Sequence, residues 1–122
     1  MKEKATLILG GGSALGLAHI GVLSVIEENF EITGIIGSSM GSIIGALYAC
    51  GFSSAQIYEL ATNIKRTKAF SPLSLDRTIS GIFDGRLLHN YLLKLTAGKK
   101  IEEGRIPFIA CAYDLISKST IL

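Results

Sequence analysis

The sequence predicts an α/β fold, a three-layer sandwich built on a mostly parallel central sheet. Two features predict it. Short apolar runs rich in β-branched residues end in glycine and lead into stretches with helical spacing. The elements then follow the order strand, helix, strand, three helices, strand, in which crossover helices join parallel neighbours.

Taken in order, Thr6-Leu7-Ile8-Leu9 is closed by glycine and reads as a buried, parallel strand. From Leu15 the positions Leu15, Ala18, Val22, Val25 and Ile26 keep helical spacing, and Glu27-Glu28-Asn29 closes that pattern. Ile32 to Ile36 is the second strand. Residues 41–50 form a small-residue helix in which Gly45 permits close packing and Gly51 supplies the C-terminal cap. Ser53 with Gln56 makes a capping box and Phe52 with Ile57 the matching hydrophobic staple, ahead of a stripe of Ile57, Leu60, Ala61 and Ile64. Residues 66–83 read as irregular. Asp84 caps a helix carrying Leu87, Leu88, Tyr91, Leu92 and Leu95, stopped by Gly98. Pro107 opens a strand from Phe108 to Tyr113, and Ser119 to Leu122 returns beside it as a hairpin.

Composition narrows the function classes. The 122 residues suit at most one domain, and 48% hydrophobic against 18% charged residues suits a folded core. A formal charge of +2 with no concentrated basic stripe argues against nucleic acid as a partner. Cys50 and Cys111 sit singly in apolar stretches without a CxxC spacing, so they read as free thiols in a reducing, cytoplasmic setting, and no metal centre is expected. No stretch reaches the ~18 apolar residues of a membrane span. Lys2 and Lys4 followed by an apolar run imitate a signal peptide, but Gly10-Gly11-Gly12 interrupts that run and argues against secretion.

The chemistry is carried by Gly37-Ser38-Ser39-Met40-Gly41, a Gly-x-Ser-x-Gly pattern placed between a strand and a helix. A turn of that kind forces its central residue into a strained backbone conformation and stands the Ser39 hydroxyl at a helix N-terminus, where negative charge is stabilised. The plainer alternative is a glycine-rich turn with Ser39 only capping the helix. Gly10-Gly11-Gly12-Ser13 occupies the preceding strand-to-helix turn, where successive amides suit a phosphate or a tetrahedral oxyanion. The spacing is not G-x-G-x-x-G, and no ribose-binding acid ends the second strand, which disfavours a dinucleotide. Two glycine turns on consecutive strand–helix units fit an oxyanion loop beside a nucleophile.

These residues resemble the patatin-like phospholipases. Leu7 to Leu23 is similar to the glycine-rich oxyanion segment of that family and its following helix, and Gly37 to Ala46 to its nucleophile elbow. Ile82-Phe83-Asp84-Gly85 and Ala112-Tyr113-Asp114-Leu115 are similar to further family segments. The resemblance implies a serine acyl hydrolase that cleaves lipid esters with a Ser–Asp dyad and needs no cofactor. Ser39 is then the nucleophile, and the amides around Gly11, Gly12 and Ser13 form the oxyanion hole. It also implies that residues 1–122 are the N-terminal portion of one truncated domain, since the family aspartate lies in a later Asp-Gly-Gly or Asp-Gly-Ala motif. Two positions depart from the family pattern Gly-Gly-Gly-x-Arg/Lys-Gly: Ser13 stands at the third glycine and Leu15 at the basic residue.

The other chemistry-bearing residues have plainer readings. Asp84 is an N-cap and Asp114 a turn residue, so no base is assigned among Asp76, Asp84 and Asp114. His19 is expected buried, neutral and hydrogen-bonded on the apolar face of the first helix, and His89 on a helix surface. Lys65-Arg66-Thr67-Lys68 suits either peripheral contact with anionic lipid or, preferably, the C-terminal end of the preceding helix. An acyltransferase with the same Ser39 intermediate, and an inactive binding protein, are the competing functions.

Overall fold

The computed structural model describes residues 1–63 and 85–122. Readings that rest on Ile64, Lys65 to Lys68, Asp76, or Ile82 to Asp84 with its cap therefore lie outside the described residues. The elements are β1 (Glu3–Leu9), a 3₁₀ turn (Ser13–Leu17), α1 (Ala18–Asn29), β2 (Phe30–Ser38), α2 (Met40–Ala49), α3 (Ser54–Asn63), α4 (Gly85–Leu95), β3 (Phe108–Asp114) and β4 (Ser119–Ile121). The fold is α/β with a mostly parallel sheet of order β1-β2-β3-β4. β1 and β3 flank β2 in parallel, and β4 folds back antiparallel on β3.

α1 and α2 touch each other and α3, the arrangement expected when right-handed crossovers put both helices on one face of the sheet. The core between these layers contains Leu23, Ile35, Ile44 and Ile57, each almost fully buried. Each such side chain stabilises the fold by roughly 1.5–3 kcal/mol. Gly45 lets α2 lie close on the sheet: a Cβ there would stand 2.8 Å from Ile35 Cγ2 and 2.9 Å from Phe108 Cε2. Glu27 ties the helices together, accepting a hydrogen bond from the Ser54 hydroxyl and lying close to the Tyr48 phenol. Burial, and then the Glu27 carboxylate, push the Tyr48 phenol above its ordinary range.

The caps follow the sequence closely. Gly51, at φ +107°, ends α2 in a Schellman motif, its N–H donating to Tyr48 O and that of Phe52 to Leu47 O. Ser53 and Gln56 make the reciprocal bonds of a capping box, at 2.9 and 3.2 Å. Beyond α4, Gly98 N–H donates to Leu93 O as expected of a stop, but the first left-handed residue is Ala97, at φ +52°.

Two expectations are corrected. The stretch from Leu15 does not enter an α-helix at once. It forms the 3₁₀ turn, α1 starts only at Ala18, and the core-facing side is Gly16, Ile20 and Leu23. Leu15, Val22 and Val25 point outward, because the tighter 3₁₀ spacing shifts the phase of a helix that is apolar on most sides. β1 is parallel but not buried on both faces, since Ile8 is 79% exposed. Ile8, Ile36 and Ile109 share one register level, on the face away from α2, and among the described residues no helix covers that face.

Candidate active site

The site lies where β1 and β2 end, at the carboxyl edge of the parallel sheet, the usual ligand position in open α/β folds. Leu9 and Gly37 are register partners, so the two glycine turns leave adjacent strands at the same level. From β2 the chain enters α2 through Ser39, whose backbone is at φ +52°, ψ −123°. That region is strongly disfavoured for any residue with a Cβ, and it persists only where its surroundings over-determine it.

The surroundings are crowded on both sides. A Cβ on Gly37 would meet Ser42 Cα at 2.5 Å and Gly41 O at 2.6 Å. A Cβ on Gly41 would come within 2.6 Å of Gly10 O and closer still to Leu9 O. Both motif glycines are thus demanded by backbone atoms that cannot move aside. Ser39 stands at the N-cap position of α2, but its side chain makes no capping hydrogen bond. Its carbonyl, not its hydroxyl, serves the helix, accepting from Ser42 N–H at 2.9 Å, Ile43 N–H at 3.2 Å and the Ser42 hydroxyl at 2.6 Å. The hydroxyl is left exposed at the positive end of α2.

Gly11 lies directly beside it. A Cβ on Gly11 would sit 3.2 Å from Ser39 Cβ and 3.9 Å from Ser39 Oγ. Gly12, at φ +150°, and Ser13, at φ +49°, then swing the chain into the 3₁₀ turn, which Leu15 N–H closes on Gly12 O at 3.0 Å. The amides of Gly11, Gly12 and Ser13 have no protein acceptor among the described residues. Gly16 brings this turn against the start of α2: a Cβ there would overlap the Met40 side chain at 2.7 Å.

A family model described as Patatin-like phospholipase matches residues 7–120. The chain belongs to the patatin-like phospholipase family. The family description names a phospholipase. An "Uncharacterized NTE family protein" of Mycobacterium tuberculosis is 29% identical over 119 residues, which is 97% of this chain and 33% of that protein. "Patatin-like phospholipase domain-containing protein 6" of Homo sapiens is 32% identical over 93% of this chain and 8% of its own length. "Lysophospholipase NTE1" of Debaryomyces hansenii is 31% identical over 98% of this chain and 8% of its own length. The chain therefore spans about a third of its mycobacterial relatives and under a tenth of the eukaryotic ones.

The structure gives physical content to the two departures from the family's glycine pattern. Ser13 occupies a left-handed backbone position that favours glycine, and Leu15 projects into solvent, 85% exposed. Among the described residues no acceptor lies within hydrogen-bond reach of the Ser39 hydroxyl. Asp114 is committed to its turn, accepting from Ile116 N–H at 3.0 Å and Ser117 N–H at 3.2 Å. The Ser117 hydroxyl, and then those two amides, hold its carboxyl below the ordinary range. His89 is on the surface, as expected. His19 is half-buried rather than buried, and its Nε2 is 2.8 Å from Gly10 O. A small apolar cavity of about 30 Å³ lies between the helices, lined by Leu17, Ile20, Met40 and Ile43 among others. Among the described residues no helix is long and apolar enough to cross a membrane.

Two further features border the Ser39 turn. The amide of Met40, the residue after Ser39 at the N-terminus of α2, is the usual second oxyanion donor at such an elbow. The bond from His19 to the glycine loop joins a helix to a turn nine residues away.

Proposed function

We propose that this chain is the N-terminal portion of a serine acyl hydrolase that cleaves carboxylic ester bonds of lipids. Ser39 Oγ attacks the ester carbonyl carbon, the alcohol departs, and water releases the acyl group. The oxyanion is held by the amides of Gly11, Gly12 and Ser13, joined by that of Met40. The observation that carries this reading is the strained Ser39 backbone, held between two glycines with no room for a Cβ while Gly11 lies alongside. A turn whose serine merely capped its helix would show a side-chain cap bond, and Ser39 makes none. The proton acceptor is the aspartate of the family dyad, in the later Asp-Gly-Gly or Asp-Gly-Ala motif. Lipid esters as substrates fit both the family and the lysophospholipase named among the relatives. The enzyme meets such lipids by peripheral contact with a membrane from the cytoplasm, where free Cys50 and Cys111 persist.

One observation favours an inactive, binding relative instead: the absence of a partner for the Ser39 hydroxyl among the described residues. Treatment with a fluorophosphonate followed by peptide mapping separates the readings. The expected result is one adduct on Ser39 that disappears in Ser39→Ala. An adduct on another residue, or equal labelling of Ser39→Ala, overturns the nucleophile assignment.

A further inference from the structure

We propose that His19 is a positioning residue that aims the Gly11 amide at the oxyanion, an inference that rests on the serine hydrolase reading above. The His19 Nε2 lies 2.8 Å from Gly10 O. A carbonyl oxygen only accepts, so Nε2 carries the proton and donates it. That nitrogen is therefore not free to take a proton from Ser39.

The consequence runs through one peptide plane. No peptide bond is cis among the described residues, and in a trans peptide the C=O of Gly10 and the N–H of Gly11 point in opposite directions. Gly10 O faces inward, toward His19 on α1 and the tightly packed Gly41 of α2. The Gly11 N–H therefore points to the opposite, outward side, where Gly11 itself borders the exposed Ser39. Besides the contact of Gly10 O with Gly41, the side-chain bond from His19 restrains this plane, and the space that a Cβ on Gly10 would enter is open. A glycine–glycine peptide is conformationally permissive, and rotation of its plane would turn a carbonyl oxygen, rather than an N–H, toward a negatively charged intermediate. The hydrogen bond from His19 opposes that rotation.

The test uses the whole protein and compares wild type, His19→Leu, His19→Gln and Ser39→Ala. Inactivation by a fluorophosphonate is read as a maximal rate and a half-saturating concentration, with circular dichroism to verify folding. His19→Leu should lower the maximal rate by roughly ten- to a hundredfold, the scale of a mis-set oxyanion donor. Its half-saturating concentration should stay within about twofold, since the donor acts mainly on the transition state. His19→Gln, whose side-chain N–H can still donate, should recover part of the rate. A folded His19→Leu with wild-type rate while Ser39→Ala is unlabelled overturns the positioning role and leaves the nucleophile standing. Labelling that persists in Ser39→Ala overturns both. Should the leucine variant fail to fold, nitrogen-15 spectra of the wild-type imidazole decide the matter: a neutral ring protonated at Nε2 supports the proposal, and one protonated at Nδ1 overturns it.

Discussion

The two strand-to-helix turns at the carboxyl edge of the sheet look alike in sequence and differ in how they are held. The elbow from β2 to α2 is fixed by exclusion. At Gly37 and Gly41 a single added carbon would collide with backbone atoms at 2.6 Å or less, so Ser39 has nowhere to relax. The loop from β1 toward α1 is fixed by adhesion. Space is open at Gly10, the contacts a Cβ would make at Gly11 and Gly12 are 3.2 and 3.3 Å, and one side-chain hydrogen bond reaches the loop from His19. A nucleophile must stand still while a substrate approaches it, and steric walls suit that task. Amides that receive an oxyanion need only the right direction, which a hydrogen bond and a few positive φ angles supply. The prediction is that the elbow responds to mutation through stability, and the loop through rate.

The sharpest break of this comparison is to add the same methyl group to each turn. Gly41→Ala places carbon against the carbonyls of Leu9 and Gly10, and relief requires moving the end of β1 away from α2. Overpacking of this kind costs about 1–3 kcal/mol, and more where only backbone can yield. Gly10→Ala meets nothing within 4 Å and has no positive φ, so its stability should change by no more than about 0.5 kcal/mol. Urea unfolding of the two variants checks this. Equal destabilisation would show that the elbow is no more confined than the loop.

How much of this was legible in the sequence depended on whether the physical cause leaves a residue-type signature. Crowding at Gly37 and Gly41 does, because only glycine lacks a Cβ, and the motif follows from that fact. Reciprocal capping by Ser53 and Gln56 does as well, because the bonds connect side chains at a fixed spacing. The phase of α1 did not. Leu15, Val22 and Val25 are as apolar as Ile20 and Leu23, and the 3₁₀ turn that decides which set faces inward is set by Gly12 and Ser13. Nor did the role of His19. Its apolar neighbours in sequence suggested a buried ring, whereas its partner is a backbone carbonyl, which every residue possesses. The parallel order of β1, β2 and β3 was legible from alternation alone, while the exposed side of β1 depends on what covers the sheet.

A smaller effect sharpens the account of the loop. Ser13 carries φ +49°, a left-handed conformation that costs a non-glycine residue about 1–2 kcal/mol, while glycine loses more entropy on folding. The balance predicts that Ser13→Gly stabilises the protein by roughly 0.5–1 kcal/mol, raising Tm by a few degrees. Thermal denaturation followed by circular dichroism measures this directly. A lower Tm would mean that the serine side chain holds the turn in a way that outweighs its backbone strain, and that the departure from the family glycine is an adaptation of the loop.

The smallest expected effect lies at the far end of β3 and serves as the reference for both turns. Asp114 caps the hairpin turn by accepting from the amides of Ile116 and Ser117, and its carboxyl is held below the ordinary value of 3.8, first by the Ser117 hydroxyl and then by those amides. A group whose folded-state pKa is depressed contributes stability that is fully present above the unfolded value and is lost as pH falls through the folded one. Asp114 is open to solvent, so the contribution is small and screened by water. Asp114→Asn keeps one acceptor oxygen and removes the charge. It should lower stability slightly at pH 7, by less than any substitution in the elbow, and the gap between variant and wild type should close as pH drops below about 3.8. Urea midpoints measured from pH 7 to pH 3 test this. A gap that stays constant across the range would mean the charge contributes nothing and that the turn is held by shape alone, as the elbow is.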